Sequence, residues 1–380
     1  MVKSNVNALG IIFPNSYDNM VPELVTERLM ASIPFAGRYR MIDFILSSMV
    51  SSGIDNISII VRNNYHSLMD HLGSGREWDL TRKNGGLTII PPFAEKTVKM
   101  YNGRVEALAS ILELLRDQKE EYVVMSDANI AVNFDFSAML QAHIESGADV
   151  TVAYKEEELA DSLKNLDIMK EDFFYTLALE GDRVKKIYVN SEESGPQKLS
   201  MNIYILKREL LIDLVHTAFV RGYVYFERDI LAHRLDKLNV KAYRFDGYLA
   251  RITDMKSYFD ENMKLLEDEN LDALFNPNPI YTKIRDDNPT RYINGSKVKN
   301  VMAADGCIIE GEVENSILFR GVKIAKGAKV RNCVLMQDTV VGEGCDLEYV
   351  ITDKNVTISA DKEIKGTDSF PVYVAKYQVV

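Results

Sequence analysis

The stretch Leu318-Phe319-Arg320-Gly321-Val322-Lys323-Ile324-Ala325-Lys326-Gly327-Ala328-Lys329-Val330-Arg331-Asn332-Cys333-Val334-Leu335-Met336 sets an apolar residue at every sixth position, at Leu318, Ile324, Val330 and Met336. The step then slips by one and resumes with Val341 and Leu347, while glycines fall at Gly321, Gly327, Gly342 and Gly344. A plain antiparallel sheet has a side-chain period of two and does not explain a repeat of six with recurring glycines. The repeat predicts a parallel β-helix of hexapeptide coils over residues 293–380, each coil covering its neighbour. The exposed last coil and the tail Val372-Tyr373-Val374-Ala375-Lys376-Tyr377 are then candidate surfaces for subunit contact or self-association.

Upstream, residues 276–292 combine three prolines with turn formers and have no apolar period, which reads as a linker. Residues 1–275 alternate short apolar runs with helical periods, the pattern of a doubly wound, Rossmann-like α/β domain. Strands are expected at Asn7–Phe13, Ile57–Val61, Tyr122–Met125 and Asp149–Tyr154, with helices at Met41–Ser52 and Val105–Arg116. Ligands are expected beyond the carboxyl ends of such strands.

Composition narrows the partners. A charge of -11, from 45 Lys+Arg against 56 Asp+Glu, repels polyanions and argues against nucleic acid or a membrane surface as partner. Met1-Val2-Lys3-Ser4-Asn5 leads into a short strand without a signal-peptide core, and no stretch approaches the ~20 apolar residues of a membrane span, so a cytoplasmic location is expected. Cys307, Cys333 and Cys345 are odd in number and lack C-x-x-C spacing, so they are expected as buried thiols.

Gly37-Arg38-Tyr39-Arg40-Met41-Ile42-Asp43-Phe44 resembles the G-R-Y-R-I-I-D-F signature of the bacterial glucose-1-phosphate adenylyltransferase family, the ADP-glucose pyrophosphorylases. Ser52-Gly53-Ile54 is similar to its N-S-G-I, Tyr101-Asn102-Gly103 to its Y-x-G-T-A-D-A loop, Phe226-Glu227-Arg228-Asp229-Ile230 to F-G-K-D-I, and Ser200-Met201-Asn202-Ile203-Tyr204 to S-M-x-I-Y. Gly306–Gly311 and Val313–Leu318 resemble its hexapeptide region. The resemblance runs along nearly the whole chain and implies a GT-A-like nucleotidyltransferase domain followed by a left-handed β-helix. The family joins a sugar 1-phosphate to the α-phosphate of ATP and releases pyrophosphate, which calls for backbone N–H groups, cations and carboxylate-held Mg²⁺.

Against that resemblance the residues expected to touch phosphate or metal are missing. The phosphate loop should be glycine-rich, yet Gly10-Ile11-Ile12-Phe13-Pro14-Asn15-Ser16-Tyr17-Asp18-Asn19 has no glycine after Gly10, which itself reads as a close packing contact. Arg28 reads as a solvated helix-face cation. Ser32 stands where A-K-P-A has lysine, Ser191 where F-V-E-K-P has its sugar-phosphate lysine, and Arg251 where G-Y-W-K-D-V-G-T has a metal carboxylate. Lys185 and Lys186 read as a solvated pair, and Asp254 as a helix cap. The other metal aspartate of the family, in G-D-H-I-Y, falls on Asp127 or Asn129, leaving Asp127 as a vestigial candidate. Arg104 and Glu106 replace the threonine and aspartate of the Tyr101 loop, and Asn202 stands where glycine is usual. Arg38, Arg40 and Asp43 are expected to form a salt-bridged corner; with Gly37, Tyr39, Tyr101, Gly103 and Ser200 they are the family-signature and possible ligand-binding residues.

The resemblance is greatest to the D-type subunit of glycogen operons. It implies a regulatory, largely non-catalytic partner that needs no metal alone and assembles with a catalytic glucose-1-phosphate adenylyltransferase subunit carrying Mg²⁺, as a heterotetramer, under a sugar-phosphate or nucleotide effector. Weak adenylyltransferase activity of the chain itself is the alternative. Acyl transfer on the β-helix is disfavoured because His66, His71, His143, His216 and His233 all precede the linker.

Overall fold

The computed structural model describes residues 6–83, 85–92, 101–160, 163 and 173–380; Met1–Asn5, read above for a leader, lie outside them. Nine strands form a mixed sheet in the order Gly86–Ile90, Asn56–Ile60, Ala8–Phe13, Tyr122–Asp127, Pro196–Lys207, Val150–Glu158, Val240–Arg244, Arg183–Val189, Tyr175–Glu180. The first four run parallel and Pro196–Lys207 returns antiparallel between Tyr122–Asp127 and Val150–Glu158. All six residues of Ala8–Phe13 are buried, because both sheet faces are covered: Ala8 and Ile12 join one core, Leu9, Ile11 and Phe13 the other.

The helix Met41–Ser51 buries ten of its residues. It starts where Asp43 accepts from the Arg40 N–H at 3.0 Å and ends in a left-handed Gly53, whose N–H and that of Ile54 return to the Val50 and Met49 carbonyls. A Cβ on Gly10 would stand 2.7 Å from Met49 Sδ, so the glycine lets this helix approach the first strand. The helix expected over Val105–Arg116 is two, Arg104–Ala109 and Leu112–Arg116. They part at Ser110, whose hydroxyl donates to the Ala107 carbonyl at 2.7 Å and competes with the helical ladder.

Residues 276–290 hold no helix or strand but are strapped to the α/β domain: Asn133 donates to the Asn278 carbonyl at 2.8 Å, and the Tyr281 N–H donates to Ser47 at 2.9 Å. Beyond them lies a parallel β-helix. Ile324 pairs with Val341 and Val330 with Leu347, so a coil advances seventeen residues, one fewer than three hexapeptides, and the slip after Met336 is that missing residue. Left-handed corners recur at the same interval, at Asn315, Asn332 and Tyr349. The three cysteines are free and buried between coils, and burial pushes the Cys307 thiol up to about 11 and Cys333 to about 12.

The tail residues Val372–Val374 pair in register with Val350–Thr352, and Gln378–Val380 bond to Thr357 and Ser359. The Tyr373 hydroxyl lies 3.1 Å from the Glu23 carbonyl oxygen, so this stretch is engaged within the chain. A shared core containing Phe35, Phe44, Phe259, Phe319, Met336 and Ile351 joins β-helix and α/β domain.

Candidate functional site

Phe13 and Asp127 are register partners at the carboxyl ends of adjacent parallel strands, and both, with the loop that follows Phe13, line a cavity of about 250 Å³. The loop after Phe13 offers this cavity little that would suit a phosphate. Its N–H groups at Asp18 and Met20 turn inward onto Asn15 and Tyr17 carbonyls, and Tyr17 sits buried in a left-handed conformation. The Tyr17 hydroxyl donates to the Phe173 carbonyl at 2.7 Å and accepts from Asn202 at 2.7 Å. Burial, then the charge of Asp127, raises its pKa and keeps it a neutral phenol. The Asp18 carboxylate accepts from the Met30 N–H at 2.7 Å and from Asn15 at 2.8 Å, adding an anion to the wall.

Asp127 is buried at the centre and fully engaged. Its Oδ1 accepts from Ser16 at 2.7 Å and from Arg104 at 2.6 Å, its Oδ2 from Asn202 at 2.8 Å. Arg104 also pairs with buried Glu227 and lies over the Phe13 ring, 4.7 Å from its centroid. Burial works against the Arg104 charge, but Asp127 and Glu227 outweigh it and hold the guanidinium protonated; burial raises the Glu227 pKa despite Arg104. Arg104, Asn202 and Glu227 stand where the family motifs have threonine, glycine and glycine; Arg104 and Asn202 converge on one aspartate, and Glu227 shares the Arg104 guanidinium with it. The convergence went unread in the sequence, although three small residues each replaced by a longer hydrogen-bonding one was its signal; Ser16 and Tyr17 carried no signal of their own.

The other sequence candidates divide. Tyr101 and Gly103 line this cavity, and Ser200 supports it by accepting from the Asn202 N–H at 3.0 Å. Arg251 lies behind Ser200, paired to Glu157 at 3.0 Å. Glu106 accepts from the Asn102 N–H at 2.7 Å. Ser32 is buried and Ser191 partly exposed, and neither lines the cavity. Lys185 pairs with Glu180, Lys186 lies over Tyr188, Asn129 is buried, and Asp254 caps a helix by accepting from the Ser257 N–H at 2.6 Å.

Gly37, Arg38, Tyr39 and Arg40 line a second cavity, of about 380 Å³, between the domains. The expected corner does not close: Arg40 bonds to Ser67, Asp43 takes His71 at 2.6 Å, and Arg38 faces Asp305 at 3.7 Å, because each finds a nearer partner across the fold. Lys283, Arg285, Arg320, Lys354 and Lys376 complete a cationic lining in which Asp70 is the acidic member. Burial, then Arg40 and Arg28, draws the Lys354 amine from 10.5 to about 7, and Arg320 Nε is buried without a partner. Arg28, expected as solvated, is instead 2% exposed, and its Nη2 donates to both Asp353 carboxylate oxygens, at 2.7 and 2.9 Å.

A divalent cation does not suit the first site. Asp127 would have to surrender three hydrogen bonds and Arg104 be displaced, and the described residues hold no cluster of three metal-ligating side chains. No described helix is long and apolar enough to cross a membrane.

A nucleotidyl transferase family model matches residues 24–268, and a GlmU-like, C-terminal hexapeptide model matches residues 284–370. The chain is similar to the glycogen biosynthesis protein GlgD of Bacillus subtilis, 34% identical over 98% of this chain and 96% of that protein. GlgD of Geobacillus stearothermophilus is 37% identical over 86% and 83%. The glucose-1-phosphate adenylyltransferase of Bacillus cytotoxicus is 30% identical over 96% of each.

Proposed function

The chain belongs to the nucleotidyl transferase family, among the glucose-1-phosphate adenylyltransferases and GlgD proteins, and from that premise we propose that it is a regulatory, largely non-catalytic subunit in glycogen biosynthesis. It assembles with a catalytic glucose-1-phosphate adenylyltransferase subunit, as a heterotetramer, and biases that subunit toward its active state; the partner, not this chain, holds Mg²⁺. The observation that carries the reading is the engagement of both Asp127 carboxylate oxygens by Arg104, Ser16 and Asn202, which a metal would have to displace, and which sets a cation and a phenol in the cavity wall. Differential contact with two states of the partner is what such a bias requires. The cationic cavity between the domains supports a second part of the proposal, that a sugar-phosphate or nucleotide effector binds this chain.

The test is co-purification with a glycine-loop homologue from the same genome, followed by ADP-glucose synthesis with and without this chain. A complex with a changed rate or effector response is expected; no complex and no change overturns the reading. Alone, the chain should release no pyrophosphate from ATP and glucose 1-phosphate. Release that Asp127→Ala abolishes would establish the weaker-enzyme alternative instead.

A further inference from the structure

Two carboxylates buried side by side stay ionised only beside a counter-charge. The Asp127 and Glu227 side chains are 1% and 5% exposed, and one guanidinium serves both. Arg104 stands at the start of the helix Arg104–Ala109, Asp127 ends the strand Tyr122–Asp127, and Glu227 lies in the helical turn Phe226–Leu231, so the same group joins three walls of the cavity. The helix start is pinned independently, because the Val105 N–H donates to the Val224 carbonyl at 3.1 Å, and Asp229 accepts from the Val224 and Tyr225 N–H groups. An arginine fork is always charged and can reach two carboxylates at once, as an exchangeable divalent ion also can.

We propose that Arg104 is a permanent internal counter-cation: it does for Asp127 and Glu227 what a bound divalent ion does reversibly, and so fixes the cavity walls in one arrangement that neither gains nor loses stability with metal. The proposal rests on the reading of this site as non-catalytic. It is tested on the chain alone, so its failure is separate from any failure to assemble or to alter a partner's rate.

The experiment is thermal unfolding of the full chain with EDTA or with millimolar Mn²⁺, alongside calorimetric titration of Mn²⁺. The parent should show the same Tm in both and no saturable binding at Asp127. Arg104→Met keeps the bulk and removes the charge; in EDTA its Tm should fall by roughly 5 °C or more. Mn²⁺ should restore part of that fall, an effect that lost packing alone does not produce. Arg104→Met with Asp127→Asn and Glu227→Gln removes both carboxylate charges with the cation, and should recover most of the Tm without metal. Should the single variant fail to fold, the triple variant decides: folding in EDTA supports the counter-cation, failure overturns it. Saturable Mn²⁺ binding by the parent that Asp127→Asn removes overturns the proposal, as does an Arg104→Met chain whose Tm is unchanged or is insensitive to Mn²⁺.

Discussion

Arg28 and Asp353 stand 325 positions apart in the chain and meet as a buried ion pair whose side chains are 3% and 4% exposed. Asp353 also accepts from the Tyr373 hydroxyl at 3.0 Å and the Lys354 N–H at 2.6 Å, so its charge is fully solvated by protein. Removing one partner strands the other charge, and Arg28→Leu should cost about 3–5 kcal/mol in urea unfolding. Adding Asp353→Leu should return much of that loss, since a buried pair exchanged for apolar side chains is often close to neutral. Gly103 is a second such residue. A Cβ there would stand 2.6 Å from the Val224 carbonyl oxygen, a backbone atom that cannot step aside, and Gly103→Ala should lower stability by about 1–3 kcal/mol in the same assay. Little of this could be read from sequence. Tyr101-Asn102-Gly103 was legible as a motif because its residues are adjacent, whereas the partners of Arg28 and of Gly103 are fixed by tertiary contacts that no local spacing encodes.

Elements were more legible, because their signals are periodic. The six-residue apolar repeat identified the coils, and the slip of one residue after Met336 was already the trace of a seventeen-residue turn. The strand expected at Asn7–Phe13 forms at Ala8–Phe13 and the helix at Met41–Ser52 forms at Met41–Ser51, both from continuous buried runs. The apolar spacing of Val105–Arg116 carries across Ser110 and so predicts one helix; the break comes from a hydroxyl's choice of carbonyl, which periodicity does not report. Coils stacked this tightly also predict which glycines matter. At Gly342 a Cβ would lie 2.7 Å from the Ala360 nitrogen and 2.9 Å from the Ile358 oxygen, all of it backbone of the next coil. Gly342→Ala should therefore cost at least about 1–3 kcal/mol. Asn332→Gly, at a left-handed corner that glycine adopts freely, should change stability by less than about 1 kcal/mol. Equal losses from the two would show that coil contact does not govern this domain.

At the scale of the molecule, docking the β-helix on the α/β domain brings cations of both onto one cavity, Arg38 and Arg40 from one side and Arg320, Lys354 and Lys376 from the other. The signature segment announced its arginines in sequence, but the β-helix half of this lining did not, because each lysine or arginine lies in a different coil and reads alone as a solvated side chain. The shared core that includes Phe319 and Met336 offsets the repulsion, and the Arg28–Asp353 pair sits beside it. Lys354 records the strain: burial first, then Arg40, Arg28 and Lys376, against the favourable Asp353, lower its amine to about 7. The sign follows from the folded value lying below the unfolded 10.5. The fold favours the neutral amine, so its contribution is complete above pH 10.5, is lost progressively as pH falls toward 7, and stays lost below, where both states are charged. Lys354→Met escapes that loss; its Tm should exceed the parent's at pH 6–7, with the gap closing toward pH 10. An anion in the cavity relieves the same repulsion, so phosphate or fructose 1,6-bisphosphate at saturating concentration should raise the parent's Tm by about 3 °C at pH 6.5. The rise should be smaller at pH 9, where Lys354 is neutral, and smaller at both pH values in Lys354→Met. A rise equal in parent and variant would place the anion elsewhere, and none at either pH would remove the effector from the function proposed for this chain.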